Sequence, residues 1–73
     1  MELRRMVTWV NSRRQVVGHV SQGVRYGANG LPMTVYVAEA VGLAADTCPR
    51  FACAKKKVEG ALLVAGVRAK AIL

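Results

Sequence analysis

The sequence predicts a small, mostly α-helical domain of two to four short helices, with a glycine-rich loop near residues 26–32. Three observations lead there. Apolar residues recur every three or four positions through the last third of the chain. An Ala-rich stretch, Ala38 to Ala45, follows a proline suited to the first position of a helix. Leu3, Val7, Val10, Val17, Val20 and Val24 also fit a helical stripe.

Over residues 1–25 that stripe argues for helix, with Arg14 on the same face. Asn11-Ser12 interrupts it, and Ser12 with Gln15 three residues later resembles a capping box that starts a second helix. The competing reading is a β-hairpin from residue 5 to residue 26, because the valines, Thr8, Trp9, Gly18 and Gly23 favour strand over helix. Followed by helices, that hairpin gives an α+β fold. Gly27-Ala28-Asn29-Gly30 and then Pro32 read as a loop, since Gly and Asn tolerate positive φ and proline disfavours helix before it. A helix is expected from Pro32 to Asp46, with a short strand Met33–Val37 running into a helix as the second reading. Pro49 breaks the chain at Cys48-Pro49-Arg50. Lys55 to Ile72 then carries the clearest helical spacing: Val58, Leu62, Ala65, Ala69 and Ile72. Gly60 and Gly66 cost such a helix about 1 kcal/mol each against Ala, so they mark places where a neighbour packs closely.

One small domain spans residues 1–73. A chain this short buries roughly 60% of the surface its unfolded form exposes, so its core is marginal. Much of its apolar content is Ala and Val, and the only aromatics are Trp9, Tyr26, Tyr36 and Phe51. A thin core points to a chain stabilised within an assembly. Charge is the second constraint. Eleven Lys and Arg face four Asp and Glu, a formal net charge of +7. The cations are dispersed, in Arg4-Arg5, Arg13-Arg14, Lys55-Lys56-Lys57 and singly, which suits a folded body meeting phosphates at several places.

Signatures of catalysis are missing from the sequence. Glu2, Glu39, Asp46 and Glu59 share no motif, and His19 has no orienting partner nearby in sequence. Cys48, Cys53 and the single His19 make a poor zinc set, so the expectation is two reduced thiols and no metal, cofactor or small-molecule substrate. Gly27-Ala28-Asn29-Gly30 lacks the lysine and spacing of a phosphate-binding loop. The longest nearly uncharged run, Leu31 to Ala45, is too short for the ~20 residues of a membrane-spanning helix. The expected location is intracellular, the mitochondrion included, because Arg4, Arg5, Arg13 and Arg14 against Glu2 give the charge balance of an organellar targeting segment.

The expected function is therefore structural: an accessory subunit of a ribonucleoprotein such as a ribosome, binding RNA rather than DNA and neighbouring protein subunits. Arg4, Arg5, Arg13, Arg14, Arg25, Lys55, Lys56 and Lys57 are the expected phosphate contacts, with Tyr26 as a stacking side chain beside Arg25. The lysines are expected to open the last helix, where cations oppose the dipole and so serve a ligand. A second reading is an accessory subunit of a membrane-bound organellar complex, with peripheral contact to anionic lipid through Arg pairs, Trp9 and apolar neighbours. A third is a virion or DNA-packaging component. Val17-Gly18-His19-Val20, Gly27-Ala28-Asn29-Gly30, Val35-Tyr36-Val37-Ala38 and Lys55-Lys56-Lys57, with Leu62, Ala65, Val67 and Arg68, resemble short stretches of a core histone in order. That resemblance implies helices, DNA-phosphate contacts from Lys55, Lys56, Lys57 and Arg68, and a histone-type partner. Pro49 interrupts the long central helix such a fold needs, so the resemblance is not adopted.

Overall fold

The computed structural model describes residues 2–72 and is mostly β. Among these residues the strands are β1 (Arg4–Val10), β2 (Val16–Tyr26), β3 (Pro32–Ala40), β4 (Leu43–Cys48) and β5 (Lys70–Ile72), with one helix, α1 (Phe51–Val64), between β4 and β5. All neighbours are antiparallel and the sheet order is β4-β3-β2-β1-β5. The chain thus meanders through four strands, crosses one face as a helix, and adds its last strand at the opposite edge.

This corrects the mostly α expectation. Residues 5–26 form the hairpin that competed with helix: β1 and β2 pair from Arg4↔Gln22 to Val10↔Val16. The β-branched run prevails because it alternates between a buried face and a second face. The helix expected from Pro32 to Asp46 is absent. Val41 and Gly42 turn the chain there, and Ala38, in spite of its helical propensity, is fully buried in β3. The α+β alternative also falls short, since three further strands and only one helix follow the first hairpin. The all-helical architecture implied by the histone resemblance goes with it.

The last segment is helical only to Val64. Gly66, at φ 70°, ends it. Its N–H donates to the Leu63 carbonyl at 3.1 Å, and the Val67 N–H donates to the Leu62 carbonyl at 2.9 Å. This is a Schellman ending, in which a left-handed glycine lets the chain satisfy the last carbonyls and turn away. Val67 then folds back onto the core beside Leu62, and the chain is free to form β5.

The helix lies over β2, β3 and β4. Register places Val7, Val20 and Ala38 in one row beneath it, and Trp9, Gly18, Ala40 and Leu43 in the next. Val58 and Leu62 descend from the helix into those rows to make the core, joined by Cys48 and Ala54. At the start of α1, Phe51 meets Tyr36 edge-on with ring centroids 5.9 Å apart. Close approach requires small residues opposite the helix: a Cβ added to Gly18 would lie 2.7 Å from Val58 Cγ1. The close packing expected at Gly60 does not occur, because nothing lies within 4 Å of a Cβ built there.

The other face, with rows Thr8–His19–Glu39 and Arg5–Ser21–Val37–Thr47, carries no helix. Beyond Gln22 and Tyr36 the sheet narrows to β2 and β3 alone, because β1 and β4 pair no further. The resulting two-stranded arm, residues 23–35, extends a molecule measuring 44 × 20 × 17 Å.

Candidate nucleic-acid interface

All the cations but Arg50, which precedes α1 as its N-cap residue, fall into three groups fixed by the topology. At one end lie the β1–β2 turn and the entry to β5. The turn is built by Asn11. Its Oδ1 accepts from the backbone N–H groups of Arg13 and Gln15, both at 2.9 Å, and its Nδ2 donates to Gln15 Oε1 at 3.0 Å. The Arg14 N–H donates to the Asn11 carbonyl at 3.0 Å. Ser12 makes no capping box because no helix follows it. Closing this turn puts Arg14 at φ 60°, the only positive φ at a non-glycine position among the described residues. An L-residue pays about 1–2 kcal/mol for that conformation.

Pairing of Val10 with Lys70 brings β5 beside this turn. Arg14, Arg68 and Lys70 thereby line one open cleft of about 780 Å³, with Val10, Asn11, Ser12, Ala69 and Ile72 as its other walls. Among the described residues no carboxylate side chain lines it. Arg13 is exposed on the same turn. Arg68 figures in the sequence as a phosphate contact only through the core-histone resemblance, and Lys70 in no site; their approach to Arg14 comes from a long-range strand pairing that no local pattern signals.

The second group sits at the arm end. Arg4 and Tyr26 line a second open cleft, of about 770 Å³, with Leu3, Val24 and Glu2. Tyr26 is 70% exposed, as a base-stacking side chain needs to be. Arg25 is its strand neighbour, so the two side chains leave opposite faces of the ribbon rather than forming one platform. The arm tip is tied by the Gly27 N–H donating to the Leu31 carbonyl at 3.0 Å, and the Leu31 N–H to Asn29 Oδ1 at 3.1 Å. Arg5 lies on the uncovered face, near His19 and Glu39. His19 Nε2 stands 4.0 Å from Glu39 Oε2, and its Nδ1 is buried without a hydrogen-bond partner.

The third group is on α1. The helix begins at Phe51, so Lys55, Lys56 and Lys57 occupy its second turn and not its opening. Lys55 and Lys56 are exposed. Lys57 reaches down to the edge strand, where its Nζ pairs with Asp46 Oδ2. The hydrogen bond from Lys57, reinforced by its charge, holds the Asp46 carboxyl below its usual value, and the same bond raises Lys57. Lys57 is therefore a strap between α1 and β4, which separates it from its two sequence neighbours. Of the eleven cations it alone lies within 4.0 Å of a carboxylate among the described residues.

Cys48 is buried and Cys53 exposed, both as free thiols. Burial pushes the Cys48 thiol up, and its hydrogen bond with Cys53 adds to the shift, which makes it a poor nucleophile. Among the described residues, no group of three or more His, Cys, Asp or Glu side chains is placed to hold a metal ion, and no helix is long and apolar enough to cross a membrane. Comparison with protein-family models, with curated proteins and with solved structures finds no match to this chain.

Proposed function

We propose that this chain is a non-catalytic RNA-binding subunit of a larger ribonucleoprotein assembly. One observation carries the reading: all but one of eleven cations lack an acidic partner among the described residues, and they spread over a body 44 Å long, from the β1–β2 turn past α1 to the arm. A folded protein that leaves so much like charge uncompensated gains stability from a polyanion. Separated clusters on a rigid sheet suit backbone phosphates from two parts of a folded RNA, held by charge rather than by base reading. The exposed apolar residues of the arm, Leu31, Met33 and Tyr26, supply the contact with neighbouring subunits.

The same arm supports a second reading, in which apolar residues beside Arg25 and Arg4 rest on an anionic membrane. Binding of the purified chain to structured RNA, duplex DNA and anionic vesicles across a salt series separates the two. The expected result is RNA binding whose log affinity falls linearly with log salt. A preference for duplex DNA moves the protein to a packaging role. Binding to vesicles alone, or to none of the three, overturns the RNA reading.

A further inference from the structure

A cleft lies between the β1–β2 turn and β5. Three cations converge on it from two segments far apart in sequence, and among the described residues no carboxylate side chain lines it. One of them, Arg14, holds a backbone conformation suited to glycine. Asn11 fixes the turn with three side-chain hydrogen bonds and a backbone carbonyl bond, so the strained residue is locked rather than loose. A turn with no other task is satisfied better by Gly or Asn at that position. Strain retained beside two further cations marks a place where the guanidinium is wanted. The apolar part of the lining, Val10, Ala69 and a half-exposed Ile72, adjoins Lys70: Val10 is its cross-strand partner and the other two are its neighbours along the chain.

We infer that this cleft is a nucleotide subsite: Arg14, Arg68 and Lys70 take one phosphate of a nucleic-acid strand, and the apolar surface of Val10 and Ile72 beside Lys70 takes the attached sugar or base. Arginine supplies a planar fork for two phosphate oxygens, and lysine a point charge. The inference rests on the RNA reading above and assigns it a place. It also separates Arg14 from Arg13, which does not line the cleft.

The test uses the full chain, amide-resolved NMR and RNA binding across salt, with Arg14→Gly, Lys70→Gln and Gly60→Ala as variants. Titration with a 5′-phosphorylated mononucleotide is expected to shift the amides of residues 11–14 and 68–72, and inorganic phosphate to shift only those nearest the cations. Arg14→Gly is expected to raise the melting temperature while abolishing these shifts and lowering the RNA salt slope by about one unit. Gly60→Ala raises stability without touching the cleft and keeps the shifts. Should Arg14→Gly and Lys70→Gln bind RNA with the parent slope, the subsite is wrong although the RNA reading stands. Mononucleotide shifts in the cleft without any binding to RNA keep the subsite and remove the RNA reading. Shifts produced by anionic vesicles and not by the mononucleotide overturn the subsite in favour of a lipid headgroup.

Discussion

The sheet has two halves that use similar residues differently. Under the helix, Val7, Val20, Val58 and Leu62 are almost wholly removed from water, and Gly18, Ala38 and Ala40 are small because α1 sits directly above them. In the arm, Val35 at the base is buried, but Val24, Leu31 and Met33 keep about half or more of their surface exposed, and only two strands support one another. An isolated two-stranded ribbon is marginal in water. The arm therefore draws its order from the covered half and, beyond Val35, offers its apolar side chains outward. Stability and recognition are divided along the length of the same strands.

Substitutions at opposite ends should break this contrast unequally. Leu62→Ala removes core volume under the helix and is expected to cost about 2–5 kcal/mol in denaturant unfolding. Gly18→Ala drives a methyl group against Val58 and is expected to cost about 1–3 kcal/mol, with Gly18→Val worse. Relief of backbone cost works the other way: Gly60→Ala, on an open part of the helix, should add about 0.5–1 kcal/mol. Met33→Ser or Tyr26→Ser in the arm should change stability by no more than about 0.5 kcal/mol while weakening assembly or RNA binding. If an arm substitution proves as costly as Leu62→Ala, the division between the halves fails.

The exposed strap between α1 and β4 provides the finest test. Asp46 titrates lower in the folded chain than in the unfolded one, so the pair stabilises the fold above the usual carboxylate value, and the contribution is lost as pH falls through the folded value. Lys57 titrates higher when folded, so its contribution is complete below the usual lysine value and is lost as pH rises through the folded one. Asp46→Asn should flatten both limbs in thermal melts taken across pH. The middle of the profile should move little, because exposed pairs contribute little.

The parts legible in the sequence were local ones. Val58 and Leu62 announced the helix face, and Gly27 to Pro32 announced the arm loop. Misreadings arose where tertiary packing reverses propensity. Ala38 to Ala45 looked helical, yet Ala38 and Ala40 are strand residues kept small by the helix crossing them. Gly66 was read for packing when it is a helix stop, and the helix consequently ran on through β5. Ser12 with Gln15 looked like a cap, whereas Asn11 is the residue that organises that turn. For the candidate site, the Arg13-Arg14 pair was visible, but the cleft was not. It depends on β5 pairing with β1, a contact between the two ends of the chain. The loss of Lys57 to Asp46 was hidden for the same reason.

The outer edge of β1 bears on how the free protein behaves in solution. Among the described residues β5 reaches only as far as Thr8, so the first part of β1 leaves its outward backbone groups unpaired. An open edge is a template on which another chain can pair, and charged side chains are one of the means that keep it from doing so. Arg4 and Arg5 stand at that position. Colloidal stability and ligand binding then draw on the same charges, and whatever neutralises them must also cover the edge. Purification at high salt, or partial neutralisation by short polyanions, should bring the chain closest to precipitation. A saturating partner should return it to solution.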